Sequence, residues 1–335
     1  MAKIIDLHNK RVIISRTDSI GDVMLTFPIC AWLKVQFPSV EIIFLGKGYT
    51  RPIVEAYKQV DQYIDWNDFS ELSQEEQLNK MSDIAADAII HVFPKKEIAK
   101  LAKKAKVPVR VGTSHRAFHL LSCSHRINFT RKNSEYHEAQ LNHELLRPFG
   151  LTTLPTLEEI IKTTEHFYIS KTPLPKEFVS LKNYTILHPK SQGSAREWPI
   201  EKYISLANML VENGQTVVFT GTENEGQLFR ASLPNHPLVV DSTGKLSLEQ
   251  LMTLIAGAKN LVACSTGPLH IAGYLNVNTV GLFSPRRPIH PGRWKALGPN
   301  VNILVNDEQC PTCKQKQECN CIADISIEAV MDVLA

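Results

Sequence analysis

Short β-rich runs alternate with helical patterns along this chain, and midway the alternation stops and starts again. Such β-α alternation favours parallel strands whose sheet is covered by helices. The first series has a strand RVIIS over 11–15 and a helical pattern from about 22 to 37. A strand EIIFL (41–45), a helix near 51–57 and a strand DAIIHVF (87–93) follow. A helix over 95–106, a strand over 107–111 and a long helix over 134–146 complete it. Residues 151–178 contain Pro155, Pro173 and Pro175 without a clear amphipathic period, and read as a closing strand followed by a linker. The second series has a strand over 184–189, a Ser/Gly loop and a helix opening after Pro199. Strands over 215–221 and 237–241, a helix over 247–256, and strands over 260–264 and 278–283 continue it. The expectation is an α/β chain of two domains, 1–170 and 171–335. Ligands are then expected in a cleft between the domains, outside the carboxyl ends of the strands.

Composition narrows the class. A chain of 335 residues is long enough for two cores, and 43% hydrophobic with 21% charged residues argues against disorder, collagen and coiled coil. The start, MAKIIDLHNKR, lacks the apolar run of a signal peptide, and no apolar run nears the roughly 20 residues of a membrane span. Seven cysteines are an odd count, unlike a secreted disulfide framework. The expected setting is cytoplasmic. No G-x-G-x-x-G follows the first strand and no P-loop motif occurs, which disfavours a dehydrogenase and a P-loop NTPase.

The net charge of +3 conceals two blocks. Residues 55–87 hold nine acids against Lys58 and Lys80; residues 88–134 hold eleven bases against Glu97 alone. The second block attracts an anionic partner. Lys100, Lys103 and Lys104 fall at helical spacing and read as a solvated face. Arg116, Arg126 and Arg131 lie in a poorly periodic stretch that a surface helix explains less well. Without an aromatic-interleaved basic ladder, nucleic acid is not the expected partner.

Four loops follow strands, where a ligand site belongs. In Arg16-Thr17-Asp18-Ser19-Ile20-Gly21-Asp22, Asp22 begins a helix, and capping is its ordinary role. The loop from His188 to Pro199 places Lys190, Ser191 and Arg196 before a helix, an arrangement suited to phosphate. After Gly221, Glu223 and Glu225 are suited either to ribose hydroxyls or to helix capping. Cys264-Ser265-Thr266-Gly267-Pro268 opens a helix carrying His270, a second candidate anion site.

Together RVIISRTDSIGDVMLTFPI, HPKSQGSAREWP and NLVACSTGPLHIAGYLNVNTVGLFSP resemble glycosyltransferase family 9, the ADP-heptose:lipopolysaccharide heptosyltransferases, in order and spacing from about residue 11 to 330. The resemblance implies a GT-B fold: two Rossmann-like domains with an interdomain cleft, the first binding acceptor and the second nucleotide sugar. It implies transfer of heptose, with inversion, from ADP-heptose or another nucleotide sugar to a lipopolysaccharide core, with no metal or other cofactor required. Asp22 matches the general base, and Arg196 the cation on the pyrophosphate. Thr266, Gly267 and His270 match the phosphate-binding turn and its helix. Lys190, Ser191, Glu225 and Ser265 complete the expected donor set, and Arg16, Arg116, Arg126 and Arg131 the acceptor set. The implied acceptor is an anionic glycolipid, which allows peripheral association with the inner face of the cytoplasmic membrane. Ser265 stands where the family usually has aspartate, so the donor sugar stays open between heptose and a relative. No two aspartates lie two apart, unlike the Asp-x-Asp of many metal-dependent sugar transferases. A nucleotide-sugar epimerase and a non-catalytic binding protein are the competing readings.

The tail carries Cys310, Cys313, Cys319 and Cys321. The C-x2-C pair is a zinc half-site completed at atypical spacing, so reduced structural thiols rank before structural zinc, and zinc before a disulfide.

Overall fold

The computed structural model describes residues 3–132, 134–193, 195–315 and 317–334; Ser194, in one of the loops above, lies outside them. The chain divides after Tyr168 into two compact units. Among the described residues no helix is long and apolar enough to cross a membrane.

The first unit is built on six parallel strands: β1 (Arg11–Ser15), β2 (Glu41–Gly46), β3 (Gln62–Asp65), β4 (Ala88–His91), β5 (Val109–Thr113) and β6 (His125–Ile127). Their spatial order is β3-β2-β1-β4-β5-β6. Val12, Ile13, Ile14, Ile42, Ile43, Ile89 and Ile90 are fully buried, as continuous apolar strands must be when both sheet faces are covered. The order reverses between β1 and β4, where Ser15 lies in register with His91. A crevice at that switch point is the favoured ligand position in open α/β sheets. The helices that bear on the site are α1 (Ile20–Met24), α2 (Phe27–Gln36), α3 (Lys96–Lys104), α4 (Ala117–Ser122), α5 (Glu138–His143) and α6 (Leu157–Lys162).

The second unit repeats the plan with β7 (Tyr184–His188), β8 (Thr216–Phe219), β9 (Val239–Asp241), β10 (Asn260–Cys264), β11 (Asn278–Leu282) and β12 (Val301–Leu304). The order is β12-β11-β10-β7-β8-β9, so its switch point lies between β7 and β10. Its principal helices are α7 (Ile200–Glu212), α8 (Glu223–Gln227), α9 (Leu248–Ala256), α10 (Gly267–Tyr274) and α11 (Pro311–Lys314). Trp198, Tyr203, Leu206 and Leu210 pack with Val262, Cys264 and Ile325 in the core. The Trp198 indole N–H donates to the Ile325 carbonyl at 3.0 Å, satisfying its polar atom inside that core.

Several elements differ from the sequence reading. The helix expected over 22–37 is two helices, because Pro28 in the first turn of α2 cannot supply the N–H of a continuous helix. The helix expected over 134–146 begins at Glu138 and tightens into a 3-10 turn, Glu144–Phe149, that contains Pro148. No closing strand forms within 151–178. There Thr156 and Glu159 make a reciprocal capping box that starts α6. The reading also missed β3, β6 and β12, all at sheet edges, where half-exposed strands need no long apolar run.

Candidate functional site

At the end of β1 the chain turns through residues 16–19 into α1, which puts Arg16, Asp18 and Asp22 together. The Arg16 guanidinium is buried, its side chain 4% exposed; it donates through Nε to Asp18 at 2.7 Å and through Nη2 to Asp22. Its Nη1 is also 3.7 Å from Glu138, on α5. The Ser19 hydroxyl donates to the other Asp22 oxygen at 2.5 Å, and the Thr26 hydroxyl donates to the Asp22 carbonyl at 2.9 Å. Asp22 is thereby held from both sides while its side chain keeps 19% exposure, so a hydroxyl can approach it. Burial opposes the Arg16 charge, but Asp18, Asp22 and Glu138 outweigh it and raise its pKa. Burial raises the Asp18 carboxyl to about 6, despite Arg16. Three buried polar side chains near the switch point have no protein partner among the described residues for Ser15 Oγ, Thr17 Oγ1 and both ring nitrogens of His91. Burial, with His119 and Arg110, pushes His91 down to about 3, so its imidazole is neutral near pH 7. The sequence reading assigned no role of their own to Ser15, Thr17, His91, Asp18 or Glu138. Their position at carboxyl ends of strands was the available signal for the first three.

The residues assigned to the acceptor do not share one environment. Arg16, expected to bind acceptor, is interior and engaged with carboxylates. Arg131 donates to Glu138 and to the Asn142 amide oxygen, both at 2.9 Å, and Asn142 donates to the Leu25 carbonyl at 3.0 Å. Glu138 therefore bridges Arg16 and Arg131. Arg116 and Arg126 are exposed. Lys100, Lys103 and Lys104 occupy the exposed face of α3 opposite Ile98, Leu101 and Ala102, the solvated face that their spacing suggests.

In the second unit, the loops after β7 and β10 flank the switch point. Gln192 and Gly193 both have positive φ, at 50° and 78°, turning the first loop sharply between Ser191 and Arg196. Lys190 pairs with Glu197 at 2.8 Å, and the Ser191 N–H and hydroxyl donate to the same carboxylate at 2.8 and 2.9 Å. Burial opposes the Glu197 charge, but Lys190 and Ser191 hold its pKa low. Lys190 and Ser191 thus shape the loop. The Arg196 guanidinium donates through Nη1 to the Cys319 carbonyl at 2.9 Å, and lines a cavity of about 470 Å³ with Glu197, Glu318 and Asn320.

The β10 loop ends at Thr266, the N-cap of α10, whose hydroxyl makes no capping bond. Thr266 Oγ1 and His270 Nδ1 are buried without a protein partner among the described residues. Both atoms lie at the start of α10, where N-terminal N–H groups can hold an anion. Ser265 and Gly267 beside them are partly exposed. Burial drives His270 down to about 4, leaving a neutral ring. Glu225 closes a capping box with Thr222: the Thr222 N–H and hydroxyl donate to Glu225 Oε2 at 2.7 and 2.9 Å, and the Glu225 N–H donates to Thr222 at 3.3 Å. Glu223 instead pairs with Arg230 at 2.9 and 2.8 Å. Both carboxylates therefore have structural work, and Glu225 is the more buried.

Residues 79–322 match the profile of glycosyltransferase family 9 (heptosyltransferase). A Haemophilus influenzae protein with a provisional glycosyltransferase assignment is 27% identical over 330 residues, spanning 93% of this chain and 92% of that one. Lipooligosaccharide heptosyltransferase 2 of H. influenzae is 22% identical, spanning 80% of this chain and 82% of its own. The structure of Escherichia coli ADP-heptose lipopolysaccharide heptosyltransferase II superposes with a TM-score of 0.70 at 19% identity, covering 97% of both chains.

Proposed function

The chain belongs to glycosyltransferase family 9, with the α/β architecture of the GT-B class, and on that premise we propose that it transfers heptose from ADP-heptose to a lipopolysaccharide core acceptor. The observation that carries the reading is the Asp22 carboxylate at the end of β1, held by Arg16 and Ser19 and still open to a hydroxyl. Asp22 accepts the proton of the acceptor hydroxyl as that oxygen attacks the anomeric carbon. The carbon–oxygen bond to the nucleoside diphosphate breaks on the opposite side, which inverts the configuration. Arg196, the N-terminal N–H groups of α10 and Thr266 stabilise the charge on the departing diphosphate. Residues 1–170 then serve the acceptor and residues 171–335 the nucleotide sugar, with Glu225 toward the ribose. Arg116 and Arg126 are the acceptor cations, while Arg16 and Arg131 hold the base in place. An anionic glycolipid acceptor accords with the relatives named above and with the basic block, and suggests work at the inner face of the cytoplasmic membrane. No step of this scheme uses a metal.

Ser265 favours a second reading, transfer of a different sugar, because a neutral hydroxyl recognises sugar hydroxyls less strongly than the aspartate it replaces. One experiment separates the two. Wild type and Asp22→Ala are assayed with ADP-heptose and with ADP-, UDP- and GDP-hexoses on a deacylated core acceptor. Turnover with ADP-heptose, reduced at least a hundredfold in Asp22→Ala, is expected. Turnover only with a hexose donor selects the second reading, and undiminished turnover in Asp22→Ala removes the base.

A further inference from the structure

The cysteine loop after β12 is a cluster of reactive side chains that the transfer chemistry does not use. The sulfur atoms of Cys310, Cys313, Cys319 and Cys321 all lie within 4.8 Å of one another. Two short pairs bring them there. Cys310 is the N-cap of α11 and Cys313 lies within it, and the Lys314 N–H donates to the Cys310 carbonyl at 3.1 Å, folding the first pair into one turn. The chain then returns through Cys319 and Cys321, with the Asp324 N–H donating to the Asn320 carbonyl at 2.8 Å. None of the seven cysteines forms a disulfide.

Packing separates these four from ordinary buried thiols. Cys264 sits in the apolar core of the second unit among Val262, Leu282 and Trp198, where a thiol behaves as a small hydrophobe. The cluster that Cys310, Cys313 and Cys321 form, with Cys319 packed against it, consists of cysteines alone. Thiols gathered onto one another gain little as hydrophobes, whereas a shared cation gives the gathering a cause. A tetrahedral zinc with bonds near 2.3 Å sets its sulfurs about 3.8 Å apart, so four sulfurs within 4.8 Å can close on one ion. Four thiolates around a divalent ion leave a local charge of about −2. Arg196 is suited to offset that charge, since its Nη1 lies 3.5 Å from the Cys319 sulfur besides donating to the Cys319 carbonyl. Ser284 Oγ lies 3.7 Å from the Cys313 sulfur on another side.

We propose that Cys310, Cys313, Cys319 and Cys321 bind one Zn²⁺ as a closed tetrathiolate centre, and that the ion fixes the loop on which the Arg196 guanidinium rests. The geometry reverses the order in which the spacing alone ranks thiols and zinc. The centre leaves no open coordination position, so it is structural. Only its effect on Arg196 rests on the donor reading above.

The test begins with elemental analysis of untagged protein purified without added metal. One zinc per chain is expected, retained through dialysis and lost in Cys319→Ser/Cys321→Ser. Because that variant can misfold, wild-type protein stripped by a chelator under reducing conditions is also refilled with Co²⁺. Intense visible bands of tetrahedral thiolate cobalt support the centre. Absence of metal together with absence of those bands overturns it, and iron at one per chain overturns the choice of zinc. ADP affinity is then measured with and without the metal, in wild type and Arg196→Ala. Stripping is expected to weaken ADP about tenfold in wild type, to be reversed by Zn²⁺, and to add nothing in Arg196→Ala. Unchanged ADP affinity on stripping overturns the positioning effect while the zinc count stands. Wild-type ADP affinity in Arg196→Ala would instead count against the donor reading, leaving the metal centre untouched.

Discussion

Arg131 and Arg116 have the same side chain, but Arg116 is exposed whereas Arg131 is half-buried and paired with an acid. Arg131 donates to the buried Glu138 and to Asn142, and Glu138 in turn faces the interior Arg16. Removing Arg131 leaves Glu138 short of a charge-assisted partner, at a cost of roughly 2 kcal/mol. Removing the exposed Arg116 and Arg126 leaves stability within about 0.5 kcal/mol. The double variant Arg116→Ala/Arg126→Ala is therefore expected to raise the acceptor KM severalfold at constant melting temperature. Arg131→Ala is expected to lower the melting temperature. Urea unfolding and steady-state kinetics on the two variants check this, and an unchanged acceptor KM in the double variant counts against an acceptor role for the basic block. The density of bases over 88–134 was plain in the sequence. Which of them meet counter-ions was not, because Glu138 reaches Arg16 only once α5 packs against α2.

At the level of elements, α8 shows how a residue type can serve two ends. The run Thr222-x-x-Glu225 has the spacing of a capping box, and the reciprocal bonds form. Thr222→Ala is expected to cost about 1 kcal/mol of stability. Glu225→Gln keeps an oxygen for the cap and removes the charge, so stability should change by less than about 0.5 kcal/mol while ADP binding weakens severalfold. Calorimetric titration with ADP decides it: unchanged affinity in Glu225→Gln confines Glu225 to capping. The same capping logic was readable in Thr156-x-x-Glu159, yet the prolines around it led to a strand being expected where α6 stands. Interior strands such as β1 and β10 match their sequence readings residue for residue, because burial on both faces demands an unbroken apolar run. The edge strands β3, β6 and β12 carry no such demand.

For the whole molecule, buried histidines dominate the response to acid. Burial depresses His91 to about 3, and His143 and His270 to about 4, all below the ordinary 6.5, and it lowers His119 and His188 as well. Unfolding restores the ordinary value, so below pH 6.5 the unfolded chain binds more protons and stability falls as pH drops. Each histidine contributes a slope of up to roughly 1.4 kcal/mol per pH unit. Asp18, raised to about 6 chiefly by burial, has the opposite sign: between about pH 6 and 4 the folded chain takes up its proton first, which adds stability on acidification. Five depressed histidines against one raised carboxyl predict a lower urea midpoint at pH 5 than at pH 7, with a smaller drop in His143→Asn. An equal midpoint at both pH values would contradict this balance.

The order of residues was enough to reveal two α/β series, the loops that resemble those of family 9, Asp22 at the start of its helix, and the four-cysteine tail. These are local properties: a strand's apolar run, a loop's small residues and a helix's first turn depend on near neighbours in the chain. Folding settled matters that depend on partners far apart in sequence. It paired Arg16 and Arg131 with carboxylates, buried Thr266 Oγ1 and His270 Nδ1 at the start of α10, and drew four sulfurs within reach of one ion beside Arg196. A side chain's charge is written in its identity, but whether that charge meets water, a counter-ion or a ligand depends on packing between distant segments.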